Sequence, residues 1–215
     1  MAVLILKFDA PIQSWGIETK LRDHQTDFLP SKSAVIGIIA SAEGRRRDED
    51  ISDLRSMRFG VRIDKPGTIL RDFHVYVNNG SFGRDKVLSN GHHMDSIPSS
   101  DKNVSNRYYL QDAVFTCGIE MPFEQLIEIR NSLLHPANAL FCGRRSCPVT
   151  ADFVGEIVEG TLETALKTES SDHQAFLDTD SCLNESDIRI TRDDPVSFSP
   201  IKREYTIRKS RKVFL

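Results

Sequence analysis

An α+β fold is predicted for this chain by the order of its hydrophobic periods and by the residues that punctuate them. A short apolar run at residues 3–8 precedes Pro11, a strongly apolar helical stretch follows at 31–44, and alternating segments occupy 59–64 and 69–77. After a polar excursion come another strand-like run at 113–121 and an amphipathic helix at 122–134. Short apolar runs bounded by turn residues read as buried strands, and three- and four-residue spacing reads as helix. The order strand, helix, two strands, strand, helix is most of a ferredoxin-like βαββαβ unit.

Each element has a local cause. The first strand ends at Ala10-Pro11, where proline excludes both helix and central strand. Residues 12–30 read as a long loop holding Gln13-Ser14-Trp15-Gly16. The helix over 31–44 is capped by Ser31 or Ser33 and stopped by Gly44, and its apolar character on most sides predicts packing on a sheet. The block Arg45-Arg46-Arg47-Asp48-Glu49-Asp50 compensates helix ends and leads into a short helix at 51–57. Around Lys65-Pro66-Gly67 the segments 59–64 and 69–77 form a hairpin. Residues 78–106, rich in Gly, Ser and Asn, are either a long loop or an extended hairpin leaving the core. Pro122 starts the helix that ends before His135-Pro136. From 149 onward, strand-like runs at 153–158, 187–191 and 205–207 and a helical stretch at 161–167 suggest a small β-rich extension, 149–215, after a main domain at 1–148.

With 215 residues, 39% of them hydrophobic and 27% charged, the chain has material for a real core. No apolar stretch approaches the roughly 18 residues of a membrane span, so a cytoplasmic protein without membrane contact is expected. Cys117, Cys142, Cys147 and Cys182 lack paired CxxC spacing, which points to thiols without a metal. A net charge of −3 excludes indiscriminate coating of nucleic acid. The charges are segregated, however. Lys202, Arg203, Arg208, Lys209, Arg211 and Lys212 face one acid, Glu204, whereas residues 152–187 are acid-rich, a pattern that fits one basic face on a phosphate chain.

The run Gly143-Arg144-Arg145-Ser146-Cys147-Pro148 is the sharpest chemical feature. A glycine free to take positive φ, two planar guanidinium forks and a helix-stopping proline suit phosphate recognition. A solvated loop is the bland alternative. Together with Gln13-Ser14-Trp15-Gly16, Ser31-Lys32-Ser33-Ala34 with Gly37, Leu70-Arg71-Asp72-Phe73-His74 and Tyr109-Leu110-Gln111-Asp112-Ala113, this run resembles the fifth Cas family, the CasD-type subunits of type I-E CRISPR Cascade complexes. Five blocks in register over nearly the whole length carry that resemblance, with Arg203-Glu204-Tyr205 as a weaker sixth. It implies a repeat-associated (RAMP) protein, with a modified RRM or ferredoxin-like domain and a small C-terminal β domain. It further implies a thumb at about 78–106 that reaches the neighbouring backbone subunit. The implied role is non-catalytic: holding the 5′ handle of the CRISPR RNA, contacting the large subunit and the terminal backbone subunit, and meeting target DNA only through the complex. The aromatic RNP motifs of an ordinary RRM are missing, so base stacking on the sheet is not implied.

The expected RNA contacts are Arg144, Arg145, Ser146, Trp15, Gln13, Lys32, Ser33 and Arg71. Trp15, the only tryptophan, either stacks on a base or packs under its loop. Lys32 and Ser33 could hold phosphate at the helix N-terminus, although capping accounts for Ser33 equally well. Arg71 and His74, three apart on a strand, point to opposite faces, which makes His74 structural. His92 and His93 read as surface loop residues. The rival function is metal-independent cleavage of precursor CRISPR RNA, for which His24, His74, Tyr108 and Lys102 are available, but no spacing forces any two together.

Overall fold

The apolar run after Met1 forms strand β1, Ala2–Phe8, and its alternation decides what lies on either side of it. Ala2, Leu4, Leu6 and Phe8 enter the main core, while Val3 packs in a smaller second core on the other face. The structure is a computed structural model and describes residues 1–16, 23–77, 102–167, 173–179 and 187–215.

Helix α1, Lys32–Ala42, is capped by the Ser31 hydroxyl, which accepts the Ala34 amide, and Gly44 beyond it has φ 77°. Helix α2, Ser52–Arg55, leads into strand β6, Arg58–Lys65. Strand β9, Val114–Met121, runs between β1 and β6 and is antiparallel to both. Helix α3, Phe123–Leu134, crosses to strand β10, Val154–Glu159, which pairs antiparallel with β1. The sheet then continues past β6 through β11 (Gln174–Asp178) and β13 (Glu204–Phe214) to β12 (Ile188–Ser197). The full order is β10-β1-β9-β6-β11-β13-β12.

Two expectations are corrected here. The division at residue 148 does not coincide with a break in the structure, because β10 flanks β1 and β11 flanks β6 in one seven-stranded sheet. Nor do residues 59–64 and 69–77 form a hairpin. Strand β7, Thr68–Val77, leaves that sheet and pairs along its length with β8, Lys102–Gln111, from Thr68 opposite Gln111 to Val77 opposite Lys102. Gly67, at φ 70°, makes the departure possible, since a Cβ there would sit 2.6 Å from the Gln111 carbonyl oxygen. The excursion is therefore an extended hairpin at its base. Its tip at 78–101, with His92 and His93, lies outside the described residues, as does Cys182.

Short strands β2 (Ile12–Gln13) and β4 (Asp23–His24) flank β8, and β3 (Trp15–Gly16) pairs with β5 (Thr26–Asp27). Helix α4, Leu162–Leu166, covers the second core, with Leu162 and Leu166 lying over Gly60 and Gly118. A Cβ on Gly60 would come within 2.9 Å of Leu166. Among the described residues no helix is long and apolar enough to cross a membrane.

Candidate nucleic-acid interface

The turn at 141–148 is built by its own backbone. Phe141 bridges Pro148, the Cys142 amide donates to the Cys147 carbonyl at 2.6 Å, and the Cys147 amide donates to the Arg144 carbonyl at 2.8 Å. Gly143 takes φ 82°, and a Cβ placed there would lie 1.7 Å from the Ser14 carbonyl oxygen. Only glycine fits. The Ser14 amide donates to the Cys142 carbonyl at 3.0 Å, so the loop at 13–16 and the turn clasp each other.

That clasp explains Gln13 and Trp15: Gln13 is engaged inside the fold, and Trp15 takes the second of its two alternatives, packing under its loop. Both are fully buried. Gln13 Nε2 donates to the Ala113 carbonyl at 2.8 Å and to the Phe8 carbonyl at 3.2 Å, and Gln13 Oε1 accepts from Trp15 Nε1 at 3.2 Å. The Trp15 ring packs edge-on to Phe8 at 5.1 Å. A ring held this way has no face left for a base. Cys142 and Cys147 beneath the turn are likewise buried, and burial pushes the Cys142 thiol up to about 12.

The two adjacent arginines divide their work. Arg144 Nη2 donates to the His24 carbonyl at 2.8 Å and Nη1 to the Tyr108 carbonyl at 3.3 Å, and its guanidinium lies 4.8 Å from the centre of the Tyr109 ring. It pins β4 and β8 to the turn, and it brings His24 and Tyr108 together through their backbones. His74 is not part of this group and pairs with Asp72. Arg145 is exposed and has no ion pair or hydrogen bond among the described residues. The Ser146 hydroxyl donates weakly to Tyr109 Oη at 3.4 Å.

Lys32 is also corrected. Its ammonium is buried, paired with Asp194 at 3.1 Å and donating to the Arg55 carbonyl at 3.0 Å. The Lys32 amide at the start of α1 donates to Asp193 Oδ2 at 2.9 Å. A carboxylate of the chain itself thus occupies the anion position at that helix end. Arg208, salient in the basic tail, is equally engaged, bonding Asp178 at 2.6 Å and Asp193 at 2.8 Å. Burial pushes the Asp193 carboxyl up, but Arg208, Thr191 and the Lys32 amide outweigh that and hold it below its ordinary value of 3.8. Asp194 follows the same pattern through Thr206, Arg55 and Lys32. Asp178 is held above it, because burial exceeds what Arg208 returns. Arg71, opposite Tyr108 on the β7–β8 hairpin, donates to Asn106 Oδ1 at 2.8 and 3.0 Å.

Beside the turn runs a groove of about 390 Å³. Its floor is α1, through Ser33, Ala34, Gly37 and Ser41, and its walls are Phe141 and Gly143 on one side and Phe198, Arg203 and Tyr205 on the other. Arg45, Arg46 and Arg47 close one end. Arg45 is committed to Glu43 and Asp53, and Arg46 pairs with Asp48 at 3.4 Å. Arg47 and Arg203 are exposed, with no ion pair or hydrogen bond among the described residues. Of the expected contacts, Ser33 alone lines this groove; Arg145 and Ser146 sit on the turn whose Gly143 lines it, and Gln13, Trp15 and Lys32 are buried. Arg47, Tyr205 and Phe198 are the groove residues that sequence reasoning did not select. The only available signals were the 45–47 block and the Arg203-Glu204-Tyr205 run, since the junction spans four segments distant in sequence. Among the described residues no cluster of three or more His, Cys, Asp or Glu side chains could hold a metal.

Fold and groove define a class: a sheet-and-helix protein with a cationic, aromatic-walled groove beside a glycine turn. Its sequence matches the family described as CRISPR-associated protein (Cas_Cas5) over residues 3–211, and the chain belongs to that family. It is 32% identical over 154 residues to the CRISPR system Cascade subunit CasD of Escherichia coli (strain K12), covering 68% of this chain and 67% of that protein. Among solved structures it resembles a chain of a CRISPR RNA-guided surveillance complex, with a TM-score of 0.79 and 26% identity over 99% of this chain and 89% of that one. A crystal structure of a Cas protein matches with a TM-score of 0.68 and 27% identity, over 99% of this chain and 94% of that one.

Proposed function

We propose that this chain is the Cas5-family subunit of a Cascade-type, RNA-guided surveillance complex of the cytoplasm, and that it holds the 5′ handle of the CRISPR RNA without cleaving it. The observation that carries this reading is a set of unpaired arginines from three separate segments: Arg47 and Arg203 line one groove, and Arg145 lies two residues beyond Gly143, the turn residue that lines it. Charge-assisted contacts to phosphate, with aromatic walls for unstacked bases, are what single-stranded RNA recognition requires. Tyr205, Phe141 and Phe198 supply those walls, and Ser33 adds a hydroxyl. Arg144 acts as a positioning residue for the turn.

In this reading β1-α1-β6-β9-α3-β10 is the ferredoxin-like platform, with the order β10-β1-β9-β6 that such a unit has. The β7–β8 hairpin is the thumb, carrying Arg71 toward the neighbouring backbone subunit. The large subunit is the other protein neighbour, and target DNA is met only through the assembled complex.

The test is binding of labelled handle RNA across a salt series. Replacing Arg145 and Arg203 by Ala lowers the log–log salt slope by about 0.7 for each phosphate that is no longer neutralised. An unchanged slope refutes the groove assignment. Incubation with repeat RNA, with and without divalent metal, yields no product ending in a 2′,3′-cyclic phosphate. Specific cleavage that disappears in His24→Ala or His74→Ala establishes the nuclease instead.

A further inference from the structure

The groove makes no use of the acid-rich stretch that begins at residue 152, and that stretch shapes the opposite margin of the sheet. Strand β10 pairs with β1 on one side and ends the sheet on the other. An edge strand presents a row of unpaired backbone groups. The Gly155 carbonyl of β10 accepts Arg130 Nε of α3 at 2.9 Å, which ties that helix to the edge strand. At 100° per residue, Phe123, Ile127 and Leu134 fall within about 60° of Arg130. They are 52%, 40% and 42% exposed, while Leu126, Ile129 and Leu133 of the same helix serve the core. On β10 itself Val158, which pairs with Val3 and lies on the sheet face away from α3, is 40% exposed.

Charge decides what this surface takes. Glu124 and Glu128 of α3 and Asp152, Glu156 and Glu159 at β10 are all exposed, and none forms an ion pair among the described residues. Arg130 is the one cation on the stripe, and it is engaged with Gly155. Glu128 faces Glu43 at the end of α1, which leaves Glu124 beside the stripe and Asp152, Glu156 and Glu159 along the edge, four unpaired carboxylates that repel a phosphate chain and attract lysine and arginine.

We propose that the β10 edge and the outer stripe of α3 form a protein-docking surface. Its occupant is a basic, aliphatic segment of a partner protein, lying along β10 with apolar side chains on Phe123, Ile127 and Leu134 and cations against the carboxylates. Alignment along a sheet edge gives backbone bonds, alternate side chains give specificity, and charge gives the choice of partner. The inference goes beyond the RNA reading, because it rests on this edge alone.

The experiment uses the tagged full-length chain, purified with the proteins it assembles with in its own cell and treated with a zero-length carbodiimide that joins carboxylates to amines. Crosslinks from Glu124, Glu156 or Glu159 to partner lysines are expected. Phe123→Asp with Ile127→Asp, and separately Glu156→Lys with Glu159→Lys, lower recovery of that same crosslinked partner about tenfold, a loss of about 1.4 kcal/mol. The melting temperature and the handle-RNA affinity of the free variants stay at wild-type values. Full recovery of every partner with either variant overturns the proposal, as does a wild-type chain that purifies without any protein. Crosslinks only to a second copy of this chain, or variants that lose RNA affinity, also overturn it. Handle binding by the free wild-type chain is scored separately, so failure of the RNA reading and failure of this one are told apart.

Discussion

Gly143→Ala probes the clasp between the turn and the loop beneath it, and its cost has two sources. At φ 82° an alanine bears the left-handed strain, about 1–2 kcal/mol. Its methyl would also start 1.7 Å from the Ser14 carbonyl oxygen and 2.9 Å from the carbonyl carbon, so turn and loop must separate. Forced displacement in a packed site costs about 1–3 kcal/mol. The sum is about 2–5 kcal/mol, which for a chain of this size lowers the melting temperature by roughly 5–15 °C. Differential scanning calorimetry measures it. Gly16→Ala is the control, because Gly16 also lines the groove but a Cβ there meets nothing within 4 Å. The same separation displaces the groove-lining turn that carries Arg145, so handle-RNA affinity falls with Gly143→Ala beyond what the residual unfolding explains. If Gly143→Ala melts within about 1 °C of wild type, the clasp contributes nothing and the reasoning fails.

The remaining predictions concern residues whose roles the structure separates. Arg144→Ala leaves the His24 and Tyr108 carbonyls without their charged donor and costs about 1.5–3 kcal/mol in urea unfolding, whereas Arg145→Ala leaves stability unchanged. Equal effects of the two would contradict the division of work. Lys32→Met removes a buried cation from Asp194 but leaves Arg55, so its cost falls at or below the low end of the roughly 3–5 kcal/mol for breaking a buried pair, read by the same denaturation. Asp193 and Asp194 are held below the ordinary 3.8, so their stabilisation is complete above that value and is lost as pH falls through their folded values. Asp178 is held above it and acts with the opposite sign. Acid titration followed by circular dichroism therefore shows a shallower loss of stability below the ordinary carboxylate value for Asp193→Asn than for wild type.

The local order of elements was legible in the sequence. The apolar run at residues 3–8, the Ser31 cap with Gly44 beyond the helix, and Pro122 at the start of α3 act within a few residues of themselves, and the structure follows them. The glycine turn at 143 was legible for the same reason, since a composition of Gly, Arg and Pro states its own backbone needs. Tertiary structure alone decided which strands meet. β7 and β10 carry no mark of the sheet they join, because register and sheet membership depend on partners far away in the chain. It also decided which cations are free. Lys32 and Arg208 read in sequence like Arg145 and Arg203, yet Lys32 is neutralised by Asp194 when β12 packs on α1, and Arg208 by Asp193 when β12 pairs with β13. Charge type is a property of a residue, whereas the availability of that charge belongs to the folded arrangement, because desolvation and pairing are set by neighbours from elsewhere in the chain.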